Sequence, residues 1–203
     1  FTEIILSDRK HHVGNTDYRD AFRGENSALV LADNPYYQSI SRKVETEVTI
    51  PMIRPMAKFK IIATDLQKFI RHAKRLIAQK AANLPDATRA DIPEFNLEDY
   101  RVVCRYNGFM PCSFNMFTDK PADSWTGMSF DSRMIAENEN EMSLGYDYIF
   151  VNGSETTLSI SVEIYNTDGE LMSSSNPVDV PIVRNKLTVV KGAFLTSKAS
   201  GGV

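Results

Sequence analysis

The stretch that decides the fold, Thr157 to Leu195, reads TLSISVEIYNTDGELMSSSNPVDVPIVRNKLTVVKGAFL. In its first part apolar residues alternate with polar ones, which is the period-two pattern of a strand with one buried face. The inward positions there are Leu158, Ile160, Val162 and Ile164. Two more alternating runs follow, one over 178–183 and one around Leu187 and Val189, after the turn residues at 166–169. Because strands this close in sequence readily pair antiparallel, the pattern predicts a C-terminal β-meander with one solvent-facing side.

Alternating or apolar runs upstream predict further strands. The clearest covers 56–61, where Ala57, Phe59 and Ile61 face inward and the lysines between them face solvent. The other predicted strands cover residues 1–6, 26–32, 44–50, 100–106, 113–118, 127–135 and 142–150. In the last of these, one shared face is predicted for Met142, Leu144, Tyr146, Tyr148 and Phe150. The chain is therefore predicted to be mainly β, an antiparallel β-sandwich.

One amphipathic helix is predicted from Asp65 to about Asn83. The residues at 64–67 (TDLQ) fit a capping box, in which Thr and Gln side chains satisfy the first backbone donors, and Pro85 follows the end of the helix. Its apolar residues recur at helical spacing and are Leu66, Phe69, Ile70, Ala73, Leu76, Ile77 and Ala81. Because this stripe needs a large apolar partner, we expect the helix to pack on the sheet that contains residues 56–61.

The opposite face of this helix is basic. It carries Lys68, Arg71, Lys74, Arg75 and Lys80. One interpretation is a patch for an anionic surface or a neighbouring subunit. The simpler interpretation, which we favour from the sequence, is a solvated helix face made of good helix-forming residues.

Length and composition exclude several classes of protein. The chain has 203 residues and a net charge of −3, with both signs interspersed, which argues against a nucleic-acid surface. No apolar run is long enough to span a bilayer. The chain opens at Phe1 without a charged and apolar leader, so we expect a mature or excised piece of a protein.

The two cysteines, Cys104 and Cys112, flank Asn107-Gly108, which is typical of a tight hairpin turn. A two-residue turn would place the sulfurs on opposite faces of the hairpin, whereas a three-residue loop would place them directly across from each other. Register therefore decides whether a bridge can form, and we favour two separate, half-buried thiols.

Sequence motifs give little support for catalysis. The phosphate-loop, dinucleotide-binding, zinc-protease, hydrolase-elbow and paired-cysteine patterns are absent from the sequence. The one cluster that resembles a metal or acid–base site is His11-His12 with Asp17 and Asp20. Adjacent histidines on an extended segment point to opposite sides, so at most one could join the aspartates. We favour a structural loop there, and predict no catalytic residue, no metal site and no cofactor. His72, on the helix, is predicted to be solvated.

Trp125, the single tryptophan, lies in the polar loop at 118–127. Exposed, it would be a stacking platform for a sugar, and it is the one candidate ligand-binding residue. Folded inward, it would close one end of the sandwich, which is the commoner use of such a residue.

Several phrases of the sequence resemble one family. Residues 54–58 (RPMAK) resemble the R-P-x-A-K strand of fimbrillin-like proteins of the Bacteroidales, the subunits of type V pili. Residues 181–185 (PIVRN), followed by 192–196 (GAFLT), are similar to the closing segment of that family. The phrases at 15–22 (NTDYRDAF) and 114–121 (FNMFTDKP) resemble a subgroup catalogued as a domain of unknown function. The match spans most of the chain in the right order.

The resemblance implies Greek-key, transthyretin-like β-sandwich domains, export as a lipoprotein and assembly by strand exchange, without catalytic residues or cofactors. It implies a fimbrial subunit at the outer membrane, whose partners are other pilus subunits and surface ligands of the host or of bacteria. Membrane contact would come through a lipid anchor absent from this chain. Residues 1–43 would be the end of a first β-domain and residues 44–203 a sandwich domain carrying the helix. The alternative is a carbohydrate- or protein-binding module with Trp125 and the aromatics of 106–118 as its platform.

Overall fold

The computed structural model of the chain describes residues 3–6, 12–24, 49–83 and 94–197. The strand predicted at 26–32 and most of the one at 44–50 lie outside those residues. The helix α1 spans Leu66–Ala82, and single turns of 3-10 helix cover Asp17–Arg19 and Leu97–Asp99. The strands are β1 (Glu3–Ile5), β2 (Arg23–Gly24), β3 (Met52–Ile53), β4 (Met56–Ala63), β5 (Arg101–Tyr106), β6 (Met110–Pro111), β7 (Ser113–Asn115), β8 (Lys120–Pro121), β9 (Ser124–Trp125), β10 (Ser129–Arg133), β11 (Ile135–Ala136), β12 (Met142–Phe150), β13 (Glu155–Tyr165), β14 (Leu171–Ser174), β15 (Val178–Val183) and β16 (Leu187–Gly192).

The described residues form a β-sandwich of two main sheets. The front sheet has the strand order β11-β12-β4-β16, and the back sheet has the order β10-β5-β13-β14, with β15 also paired to β13. The residues predicted to face inward in β4 and β13 do so, and their side chains join one hydrophobic core together with Val180 and Ile182 of β15. The inward residues of β4 and β13 are Ala57, Phe59, Ile61, Leu158, Ile160, Val162 and Ile164. The predicted fold class, mainly β with a sandwich and an amphipathic helix, is confirmed.

The predicted C-terminal meander is wrong for its last strand. After β15 a turn at 184–186 carries the chain from the back sheet to the front sheet, where β16 pairs parallel with β4. In this position Leu187 and Val189 are 53% and 44% exposed, while Val190 packs against the core. The sequence could not reveal this because the partner strand lies more than a hundred residues upstream.

The hairpin predicted at Asn107-Gly108 is also wrong. β5 pairs with β10 and β13, and β6 pairs with β9, so the chain leaves one sheet and enters another at this turn. Cys104 and Cys112 are both buried and are not bridged, which confirms two separate thiols, although they lie deeper than expected. The hairpin does not form because β5, which ends at Tyr106, pairs with two strands in the back sheet, whereas a hairpin would give it one partner.

The helix joins the core through Leu66, Phe69 and Ala73, which are all buried. The predicted residues Ile70, Leu76 and Ile77 are only half-buried. The Phe69 ring packs edge-on against Tyr100, with ring centroids 5.0 Å apart, just before the back-sheet strand β5. The helix therefore contacts the back sheet as well as sharing a core with the strand β4 that precedes it.

The predicted capping box is wrong. The helix N-cap is Asp65, whose side chain makes no capping hydrogen bond. Its carboxylate instead accepts hydrogen bonds from the backbone N–H groups of Leu195 and Thr196 and from the Thr196 hydroxyl, at 3.2, 2.8 and 2.7 Å. Gln67 donates to the backbone carbonyl of Glu139 at 2.7 Å. Both side chains thus tie the helix to distant segments instead of to its own first turn.

A smaller hydrophobic cluster lies on the other side of the front sheet. It contains Met56, Phe114, Tyr148 and Phe150, with Ile4 packed against it. Strand β1 pairs antiparallel with β7, so the described part of the first 43 residues contacts the rest of the chain. The domain boundary proposed between residues 43 and 44 falls in a range outside the described residues and stays a prediction.

Candidate functional site

A bulge in β12 brings a carboxylate into the sandwich. The pairing of β12 with β4 shifts register between Ser143 and Gly145, and Gly145 has a φ of 146°, which favours glycine. Beyond the shift Asp147 lies opposite Phe59 on the core face and is fully buried, at 0% exposure. The one shared face predicted for this strand is therefore wrong after the bulge. The residues that turn to the smaller cluster instead are Tyr146, Tyr148 and Phe150.

The buried Asp147 carboxylate binds several partners. Its Oδ2 atom accepts a hydrogen bond from the Tyr106 hydroxyl at 2.6 Å and lies 2.6 Å from His12 Nε2. Its Oδ1 atom accepts from Arg19 Nη1 at 3.0 Å and from the backbone N–H of Tyr148 at 2.8 Å. A buried charge is stable only with such partners, and here they come from two sheets and from the N-terminal segment.

Arg19 covers the His12 ring. Arg19 Nη1 lies 3.1 Å from His12 Nε2, and Arg19 Nη2 lies 3.2 Å from His12 Nδ1. The Arg19 guanidinium therefore contacts both nitrogens of the His12 ring. The Arg19 side chain is 17% exposed and the His12 side chain 1%, so Arg19 separates the ring from solvent.

The other charged groups of segment 12–20 bind the front-sheet side of the molecule. Asp17 Oδ1 lies 2.8 Å from Lys58 Nζ, and Asp20 accepts two hydrogen bonds from the Arg54 guanidinium at 2.8 and 2.9 Å. The structure therefore does not gather His12, Asp17 and Asp20 into the acid–base or metal site considered from the sequence. His11 lies outside the described residues.

Gly14 and Asn15 fasten the same segment between the two sheets. The Asn15 backbone N–H donates to the carbonyl of Tyr146 at 2.8 Å, and Asn15 Nδ2 donates to Ser132 Oγ of β10 at 2.9 Å. A Cβ atom on Gly14 would lie 2.3 Å from the Phe130 ring, so this close approach requires glycine. Segment 12–20 is thus a structural strap, which we call the N-terminal strap.

Burial controls the titratable groups around Asp147. Desolvation, reinforced by the Asp147 carboxylate, raises the pKa of Tyr106 well above its ordinary value. Desolvation and the same carboxylate also raise the pKa of the Cys104 thiol, so this buried cysteine stays protonated and unreactive. Hydrogen bonds from Lys58 and Tyr148 lower the pKa of Asp17.

Within the described ranges, no group of three or more His, Cys, Asp or Glu side chains could hold a metal ion.

The second notable feature is β16, which forms an edge of the front sheet among the described strands. The backbone carbonyls of Lys186 and Gly192 accept hydrogen bonds from Lys58 and Thr64 at the two ends of the β4–β16 ladder. By the two-residue repeat of a ladder, the alternate residues of β16 direct their N–H and C=O groups away from β4. Those residues are Leu187, Val189 and Lys191, whose side chains are exposed.

Other sheet edges carry features that discourage pairing. β11 is two residues long, β10 carries Asp131 and Arg133, and β15 contains Pro181. Short strands, charges and proline are the usual protections of an edge strand. β16 instead presents Leu187 and Val189, and the charge of its lysine is paired with Glu141 at 2.7 Å.

Trp125 is half-buried and packs against the main core, and its strand β9 pairs with β6 at Met110. The neighbouring Phe109 is 74% exposed. Whether Trp125 is a stacking platform for a sugar or closes one end of the sandwich therefore stays a prediction, which a ligand-binding measurement would test. His72 is exposed on α1, as predicted.

A cleft of about 600 Å³ lies beside β10 and the 3-10 turn at Leu97–Asp99. Its lining mixes acidic and basic side chains, among them Glu98, Asp131, Arg101 and Arg133. Arg101 and Asp131 neutralise each other at 3.0 Å. Trp125 is not among the residues that line this cleft, and no pattern in the sequence predicted it.

In the described part of the chain, no helix is long and apolar enough to cross a membrane.

No curated protein matches the sequence. Among solved structures, one of a candidate adhesin from Bacteroides ovatus is 7% identical, with a TM-score of 0.27. That alignment covers 62% of this chain and 31% of the other, and a likeness this low carries no argument about fold or function. A family model does match, over residues 1–203, and the chain therefore belongs to a family of unknown function, DUF6562.

Proposed function

We propose that this protein is a structural or adhesive subunit of the bacterial cell surface, and that it assembles with neighbouring subunits by β-strand addition. The observation that carries the proposal is that, among the described strands, β16 forms an edge of the front sheet with no second partner. The order of the fimbrillin-like phrases along the chain supports the finer proposal of a fimbrial subunit, anchored to the outer membrane through a lipid. Its partners are then other subunits and ligands on host or bacterial surfaces.

The β16 edge has the properties of a site for strand addition. Leu187, Val189 and Lys191 direct backbone donors and acceptors outward, so an added strand can form a regular ladder. The exposed Leu187 and Val189 side chains would be covered by the same event, which contributes apolar burial. Main-chain hydrogen bonds and apolar burial therefore act together along this six-residue strand.

We propose no catalytic role. His12 and Asp147, the one closely paired histidine and carboxylate in the described ranges, hold the N-terminal strap inside the sandwich. Arg19 covers the histidine ring, and Tyr106 occupies the same carboxylate oxygen. A substrate would have to displace these groups to reach the pair, and each of them stabilises the fold.

The test removes the backbone N–H group of Val189, which points outward from β16. The variant is expressed in the protein's own bacterium. In Val189→Pro the lost N–H points away from β4, so the variant should fold and melt as the wild type does. We expect wild-type protein on intact cells, labelled by antibody, and in sheared fibres of high molecular mass. Val189→Pro should remain in the subunit-sized fraction.

The matched control is Val189→Thr, which keeps the N–H group and the β-branched shape and should enter fibres normally. The proposal is wrong if folded Val189→Pro assembles as the wild type does. It is equally wrong if wild-type protein cannot be labelled on intact cells.

A further inference from the structure

The outer face of α1 holds positive charge, most of which the described residues do not neutralise. The 17-residue helix contains five lysines and arginines and no aspartate or glutamate, although the whole chain has a net charge of −3. Lys80 is the one member with carboxylate partners among the described residues, Asp168 at 3.1 Å and Glu170 at 3.4 Å. The exposed residues Lys68, Arg71 and Arg75 form a row that we call the basic stripe, with Lys74 at its side.

The basic stripe is an unfavourable arrangement for an isolated helix. Lys68 and Arg71 are three residues apart, and Arg71 and Arg75 are four apart, so like charges face each other along the surface. The first turn contains Lys68 and no acidic residue, and a positive charge there opposes the helix dipole. A solvated face of ordinary composition would alternate signs, and the described part of the chain places no carboxylate against the stripe. An external anion would remove both repulsions.

The shape of the stripe selects the kind of anion. From Lys68 to Arg75 the helix rises about 10 Å, at about 1.5 Å per residue, so the cations form a line and not a broad patch. The exposed residues around them are polar or alanine, such as His72, Ala78 and Gln79, and the large apolar side chains of α1 are buried or half-buried. A membrane-binding helix needs apolar side chains that enter the bilayer, which this face lacks among the described residues. A chain with regularly spaced negative groups fits better.

We propose that the basic stripe binds a linear acidic polysaccharide, whose carboxylate or sulfate groups lie along α1 against Lys68, Arg71 and Arg75. Arginine forks are well suited to such planar or tetrahedral anions, because they offer paired N–H donors. This site lies on a different element from the β16 edge. The proposal therefore does not depend on strand addition, and it can be tested with the purified monomer.

The test measures binding of two fluorescent probes, a heparin oligosaccharide for sulfate and an oligogalacturonate for carboxylate, by anisotropy at 50 to 300 mM NaCl. We expect saturable binding of at least one probe that weakens as salt rises, because ion pairs are screened. Arg71→Gln/Arg75→Gln should weaken binding at least about tenfold, since two charge-assisted contacts are lost. Circular dichroism should show an unchanged helix.

The matched control is Lys120→Gln/Arg133→Gln, which removes the same charge from exposed positions on β8 and β10. It should change the dissociation constant less than about twofold, because these side chains lie outside the stripe. The proposal is overturned if the two double variants bind equally well or if neither probe binds. It is also overturned if the wild type binds vesicles of anionic phospholipid more tightly than either probe.

Discussion

Replacing Asp147 by asparagine should destabilise the protein strongly, although the change is nearly isosteric. Asp147 is fully buried and accepts hydrogen bonds from Tyr106, Arg19 and the backbone of Tyr148, with His12 at 2.6 Å. Asparagine removes the negative charge and leaves the Arg19 guanidinium, whose side chain is 17% exposed, without a counter-ion among the described residues. Breaking a buried pair in this way costs about 3–5 kcal/mol, and we expect the free energy of unfolding to fall by about that amount.

Urea melts followed by circular dichroism would measure the loss from the shift in midpoint. The control is Asp131→Asn, whose carboxylate pairs with Arg101 at the surface and is 67% exposed. That change should cost less than about 0.5 kcal/mol, because exposed ion pairs contribute little. Adding Arg19→Gln to Asp147→Asn should recover about 1–3 kcal/mol, since the uncompensated charge is then gone. If Asp147→Asn melts within error of the wild type, the cluster does not hold the sandwich together.

Two further predictions concern the helix and alkaline pH. Phe69→Ala should cost about 3–5 kcal/mol in urea melts, because Phe69 is 1% exposed and packs edge-on against Tyr100. Lys74→Ala on the outer face should cost less than about 0.5 kcal/mol, and equal effects would show that the helix lies outside the core. Because burial raises the pKa of Tyr106 in the folded state, its contribution to stability is complete below pH about 10 and is lost as the pH rises further. Melts at pH 8 and 10.5 should show that loss, and Tyr106→Phe should lose less over the same interval; an identical loss would refute this role.

Much of the sandwich was predictable because alternation is a local property of the chain. In β4 and β13 every inward position read from the sequence is buried, for example Phe59 and Ile164. The same method failed in β12, where one extra residue at the bulge reverses the face of everything after it. Gly145, a glycine inside a strand pattern, was the signal that could have revealed the bulge. With it, Asp147 would have been recognised as a buried charge that needs partners.

The sequence by itself determined where the helix and the longer strands, such as β4, β5, β12 and β13, lie and which of their side chains are apolar, because both depend on neighbours within a few residues. The tertiary structure alone decided which distant residues meet. His12 finds Asp147 across 135 positions of sequence, and the parallel pairing of β16 with β4 joins strands more than a hundred residues apart. Gln67 likewise leaves its predicted capping role to bind the carbonyl of Glu139, and Asp65 binds Thr196. A buried carboxylate binds the donors that the packed sheets place beside it. Which donors these are depends on the free energy of the whole core, so no local sequence pattern predicts them.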